Sequence, residues 1–182
     1  MSRKNQFYVK KMTSGGVLLA LGVVLPQIMH LGGSNMGRVC LPMHLGVLLG
    51  GLLLGTLYGG LLGALTPLVS AVLTGMPVMH KLPFMIIELM SYGIIAGLLS
   101  NKKINIYIKL ISAQIAGRIV YGLALLFGAK ILGISVFPVT SILTGIVTGL
   151  PGIIIQLIFA PVLVIYLNNA LHFDNKLIQE NV

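Results

Sequence analysis

The sequence predicts an all-α integral membrane fold, a bundle of six transmembrane helices with both termini on the inner side. Three observations carry that expectation. Two uncharged runs, Val39 to His80 and Ile131 to Phe173, each exceed forty residues. A helix needs only about 20 apolar residues to cross a bilayer, so each run must fold back within the membrane. Mean hydropathy is +1.02, with 57% hydrophobic and 8% charged residues, whereas the surface of a soluble domain needs far more charge. The basic residues gather at the ends of apolar runs, where lysine and arginine set topology.

Along the chain, Arg3, Lys4, Lys10 and Lys11 precede an apolar run from Met12 to His30 that has no Ala-x-Ala cleavage pattern. An uncleaved first helix over about Thr13–His30 is therefore expected. A glycine-rich loop, Leu31 to Arg38, follows. Pro42 suits the first turn of a second helix, which runs to the Gly55–Gly60 turn. The third helix covers about Gly59–Leu73, and two prolines then break the pattern between Thr74 and Pro83. The fourth spans about Pro83–Leu99 and stops at Asn101-Lys-Lys103. The fifth spans about Ile104–Phe127. Residues 128–149, interrupted by glycines, read as a loop plus a short re-entrant or surface helix, tolerable only against protein or water. The sixth helix starts near Leu150-Pro-Gly152 and ends near Asn168.

This layout is one membrane domain over residues 1–182. Residues 1–12 form a cytoplasmic tail, residues 13–168 the bundle, and residues 169–182 a second cytoplasmic tail. Outer loops fall near 31–41, 74–82 and 128–149. Orientation follows from basic residues: Arg3, Lys4, Lys10, Lys11, Lys102, Lys103, Lys109 and Lys176 lie at inner ends, against Arg38, Lys81 and Lys130 outside. The outer loops are also the longer ones, so a binding site is expected to open outward.

Several function classes drop out. The formal charge is +9, with Glu88, Asp174 and Glu180 the only acids, but the bases flank spans and touch anionic lipid instead of forming a nucleic-acid patch. The single cysteine, Cys40, excludes an internal disulfide or a CxxC motif. Cys40 and His44 are two ligands without a third, so no metal is expected. The sequence has no Gly-x-Ser-x-Gly, HExxH or P-loop pattern and one acid within the apolar region, so no enzyme, no catalytic residue and no cofactor is expected.

Intramembrane ionisable groups mark functional sites by default. On the fifth helix, Gln114, Arg118 and Tyr121 share a face, and Arg118 lies about 20 Å from the inner end. On the fourth, Glu88, Ser91 and Tyr92 share a face, with Glu88 about 8 Å below the outer end. A Glu88–Arg118 pair is thus geometrically plausible, as an ion pair locking two helices or as part of a ligand site. His44 opens the second helix beside Asn35 and Arg38 of the preceding loop, and Gln156 enters the outer half of the sixth. The candidate substrate-binding set is Asn35, Arg38, His44, Glu88, Tyr92, Arg118, Tyr121 and Gln156. Thr66, Ser70 and Thr74 align on the third helix and are expected to hydrogen-bond their own backbone or a neighbouring helix. Gly16 and Ala20, four apart on the first helix, form a small-xxx-small pair that lets helices approach closely.

The region from about Met12 to Asn168 resembles the S components, the substrate-binding membrane subunits, of energy-coupling-factor (ECF) vitamin transporters. The matching stretches are Ala20-Leu-Gly-Val-Val-Leu-Pro-Gln27, Leu41-Pro-Met-His-Leu-Gly-Val-Leu-Leu49, Leu73-Thr-Gly-Met-Pro77, Glu88-Leu-Met-Ser-Tyr-Gly93, Ala116-Gly-Arg-Ile-Val-Tyr-Gly122 and Gly149-Leu-Pro-Gly-Ile153. The resemblance implies a six-helix bundle in a bacterial cell membrane that binds a vitamin in its outer half, under the loop after the first helix. It also implies docking on a membrane T subunit and two cytoplasmic ATPases, with Gly16 and Ala20 at the T-subunit contact. Within the family, the start of the second helix and the Ala116–Gly122 block look most like pantothenate-type members. Folate, riboflavin or another vitamin precursor are the alternative substrates. From other classes, a stand-alone secondary carrier or channel for a small polar solute and a membrane assembly protein are the alternatives.

Overall fold

The computed structural model describes residues 3–31, 41–131 and 140–171. Over these residues the chain is all helical, with six helices: α1 Arg3–Leu31, α2 Pro42–Leu54, α3 Thr56–Thr74, α4 Leu82–Ser100, α5 Ile106–Ile131 and α6 Thr140–Leu171. All but α2 contain a stretch long and apolar enough to cross a membrane. Exposed apolar side chains recur with helical spacing, as Val17, Leu21, Val24 and Ile28 on α1 and Ile154, Ile158, Val162 and Ile165 on α6. Such stripes suit lipid as their solvent.

The exception organises the fold. Helix α2 has 13 residues, or about 20 Å at 1.5 Å per residue, which is less than the roughly 30 Å hydrocarbon core. It survives because protein surrounds it: Val47 and Leu48 are fully buried, and it touches α1, α3, α4 and α6. Proline at its first turn and Gly55 after its end fix its length. Gly55 sits at φ 95°, a conformation nearly closed to residues with a Cβ, and this one residue turns the chain from α2 into α3.

Helices α3 and α4 pack almost backbone to backbone. A Cβ at Gly93 would collide with the Gly59 carbonyl, and one at Gly63 with the backbone at Leu89 and Met90. Gly51 of α2 joins this seam, since its Cβ would lie 2.5 Å from the Gly93 oxygen. Small residues are what let helices approach this closely in a membrane, where no hydrophobic force between them operates. At the end of α3, Thr74 donates from Oγ1 to the Ser70 carbonyl at 2.7 Å, and Ser70 Oγ donates to the Met76 carbonyl at 2.7 Å. Thus two of the three aligned hydroxyls bond backbone, as their spacing suggests.

Several boundaries depart from expectation: α3 already begins at Thr56 and not near Gly59, so the turn after α2 is Gly55 alone. Helix α1 begins at Arg3, not near Thr13; Phe7 packs against the core, and Lys11 Nζ donates to the Leu54 carbonyl at 2.9 Å, tying the extra turns to the bundle. Residues 128–131 continue α5 and residues 140–149 begin α6, so no short re-entrant or surface helix occupies this part of the described chain. Pro151, expected in the first turn of the last helix, lies well inside α6, as does Pro161. A break there would expose backbone groups to lipid, and transmembrane helices accommodate proline instead.

Candidate functional site

Four helices bring polar side chains together at the end of the bundle where α2 starts. Glu88 and Tyr92 stand one turn apart on α4, Gln114, Arg118 and Tyr121 line one face of α5, His44 opens α2, and Gln156 projects from α6. Glu88, His44, Gln114 and Gln156 are all buried, with Glu88 3% exposed.

The charged centre is the contact between Arg118 Nη1 and Glu88 Oε1 at 3.1 Å. His44 Nε2 stands 3.8 Å from the same oxygen, too far for a hydrogen bond. The His44 imidazole meets the Tyr92 ring edge-on, with centroids 5.2 Å apart. Tyr92 in turn fits against α5 only because residue 117 is glycine: a Cβ there would come within 2.7 Å of the ring. Tyr121 is half-buried and lies within the electrostatic reach of both Glu88 and Arg118.

A second polar chain crosses to α6. Gln114 Nε2 donates to Gln156 Oε1 at 3.1 Å, and Gln156 Nε2 donates to the Leu41 carbonyl at 3.1 Å. Leu41 itself adopts φ 48°, ψ 45°, the left-handed region that disfavours a branched aliphatic residue. Such strain gathers at functional sites because the surroundings must hold it in place. Gly149 of α6 closes the side of Arg118, since a Cβ there would lie 2.9 Å from Nη2.

Not every polar atom is satisfied. His44 Nδ1 and Nε2, Glu88 Oε1, and Arg118 Nε and Nη2 are buried without a hydrogen-bond partner. For Glu88 and Arg118 this means charge contact without good hydrogen-bond alignment. Leaving a buried donor or acceptor unmade costs about 1–3 kcal/mol, more when it is charged. Clustered in one place, such atoms supply donors and acceptors that a polar ligand could pair with.

Of the residues expected from sequence, His44, Glu88, Tyr92, Arg118, Tyr121 and Gln156 converge here. Asn35 and Arg38 lie outside the described residues, as does Cys40. Gln114, the Leu41 carbonyl, Gly117 and Gly149 complete the site. Gln114 was visible on the Arg118 face, but a backbone carbonyl leaves no trace in composition or spacing. Among the described residues, no group of three His, Cys, Asp or Glu side chains is placed to hold a metal. Gly16 and Ala20 are exposed on α1, and nothing lies within 4 Å of a Cβ built on Gly16. A cavity of about 180 Å³ lies at the opposite end of the bundle, between Lys11 and Lys109.

The family model described as "ECF transporter, substrate-specific component" matches residues 10–164. Comparisons with curated proteins and with solved structures gave no match.

Proposed function

Because the chain belongs to the substrate-specific components of ECF transporters, a family of multi-pass transport subunits, we propose that the His44–Glu88–Arg118 cluster is its substrate site. The observation that carries this reading is the set of buried, unpartnered polar atoms on three helices. They offer donors from Arg118, an acceptor from Glu88, and an imidazole able to act as either. A small vitamin with a carboxylate and neighbouring hydroxyl or amide groups matches that set. Pantothenate is the first candidate and folate or another anionic precursor the second; riboflavin, which has no carboxylate, is the alternative against which the test below decides.

In this reading the cluster faces outward, with both termini inside a bacterial cell membrane. The subunit captures the vitamin and carries it inward with a T subunit and two ATPases. Arg118 orients the carboxylate through charge-assisted hydrogen bonds, which are stronger and more directional than neutral ones. Glu88 holds Arg118 in place and accepts from a ligand hydroxyl, while Tyr92 and Gly117 shape the wall. Gly16 and Ala20, open on the surface of α1, receive the T subunit.

Mass spectrometry of the small molecule released from the purified protein tests the substrate, with a small anionic vitamin expected. A neutral or cationic vitamin recovered in equal amount with protein would reject it. Gly16→Leu tests the partner surface: transport should fall severalfold or more while ligand binding by the isolated subunit is unchanged. Equal loss of both would move these residues from the partner contact to the fold.

A further inference from the structure

The end of the bundle away from Glu88 carries a concentration of charge that the substrate site does not use. Lys11 of α1 and Lys109 of α5 line one cavity of about 180 Å³. Lys11 Nζ donates to the Leu54 carbonyl at 2.9 Å, and Lys109 Nζ donates to the Ser100 carbonyl at 2.6 Å. Lys11 also leans over the Phe7 ring, 4.7 Å from its centroid. Capping the last carbonyls of α2 and α4 accounts for one donor on each ammonium, and an ammonium carries three. Both side chains are half-buried and anchored, so the two charges are held in place beside the same space.

The helix C-termini they cap offset these charges only in part, and no carboxylate among the described residues stands beside them. The sole carboxylate there, Glu88, belongs to the Arg118 pair at the other end. The cavity wall adds the amides of Asn101 and Asn168, which supply further donors, and an apolar side from Leu53 and Val164. Its level is that of the span ends: the α5 span begins at Ile106 and the α6 span ends at Asn169. Headgroups lie at that level of a bilayer.

We propose that this cavity binds a phosphate group, the headgroup phosphate of an anionic phospholipid. Two ammonium groups and two amides converge on the phosphate oxygens, and the apolar wall lies against the glycerol and upper acyl chain. The two lysines then join α1, α2, α4 and α5 through one shared anion.

The test is thermal unfolding of the purified chain in detergent, titrated with phosphatidylglycerol, with phosphatidylcholine and, separately, with inorganic phosphate. Phosphatidylglycerol should raise the unfolding midpoint and phosphatidylcholine should not. The double variant Lys11→Gln/Lys109→Gln should weaken the apparent affinity for phosphatidylglycerol by about tenfold to thirtyfold. Lys102→Gln/Lys103→Gln, on the exposed turn at the same end, should change it by no more than about threefold. If the double variant does not fold, Lys109→Gln alone should still weaken the lipid effect by about three- to fivefold. Stabilisation by inorganic phosphate, lost in the same variant, would support the site with free phosphate as its source. Equal stabilisation by both lipids, or equal losses in the two lysine pairs, would overturn it.

Discussion

The seam between α3 and α4 and the bridge between α5 and α6 join helices by opposite means. In the seam, Gly59, Gly63 and Gly93 bring backbone against backbone, leaving no space for even a methyl group. Across the bridge, Gln114 reaches Gln156 through a single side-chain hydrogen bond, and Gln156 passes the connection to the carbonyl of Leu41, the residue just before α2. Dispersion contacts in a dry seam have no alternative partner. A hydrogen bond between two amides can be exchanged for one to a ligand at little net cost, because both states satisfy the groups. The molecule therefore divides into a fixed half built on glycine and a convertible half built on polar side chains, and the candidate site lies between them.

An effect as large as that of breaking the charged pair should come from the fixed half. Gly93→Leu drives four carbons into the Gly59 carbonyl, an overpacking with no flexible side chain to yield, and should destabilise by about 3 kcal/mol or more. Thermal unfolding in detergent checks this. A folded Gly93→Leu variant with a wild-type midpoint would mean that the seam can open and that the two halves are not mechanically distinct.

Next is the charged pair. Arg118→Met leaves Glu88 buried without its counter-charge, which costs about 3–5 kcal/mol. Arg118→Met with Glu88→Gln removes both charges and should recover most of that stability. Binding should not recover: the lost charge-assisted bond is worth about 1.5–3 kcal/mol, or roughly one to two orders of magnitude in affinity. Wild-type affinity in a folded double variant would make the pair a helix lock and dissolve the assignment of the site.

The smallest effect should come from the bridge. Gln156→Leu strands the Gln114 amide, while the Leu41 carbonyl keeps its bond from the His44 backbone N–H, and should cost about 1–3 kcal/mol; Gln114→Leu with Gln156→Leu should lie nearer to wild type. Double-mutant thermal melts measure the coupling. If the two single losses simply add, the glutamines do not act through each other.

How much of this was legible in sequence follows the same division. Glu88 and Arg118 stand out because charge is rare in an apolar span, and counting rise per residue from each helix end already put them at matching depth. The Pro42 and Gly55 punctuation set the limits of α2 to within a residue. The start of α6 was not legible, since Pro151 reads as a helix opener and only the lack of water around the chain makes it an interior residue. Nor was the bridge, which depends on how α5 and α6 rotate about their axes. That rotation is set by three-dimensional packing, and so is the role of the Leu41 carbonyl.

The short length of α2 has an electrostatic consequence. A helix carries about half a positive elementary charge at its N-terminus, from amide groups that no intrahelical carbonyl satisfies. In a full-length span that charge sits among headgroups and water and is largely screened. Helix α2 is about 10 Å shorter than the hydrocarbon is thick, and its first turn, with His44, is buried under the Glu88–Arg118 pair. Its macrodipole therefore ends inside a medium of low permittivity, where a fractional charge acts over a longer range than at the surface. Counting side chains alone makes the cluster neutral, with one carboxylate balanced by one guanidinium. Adding the helix end tips its potential positive, and a negatively charged molecule entering the cluster would meet a field the ionised side chains do not supply.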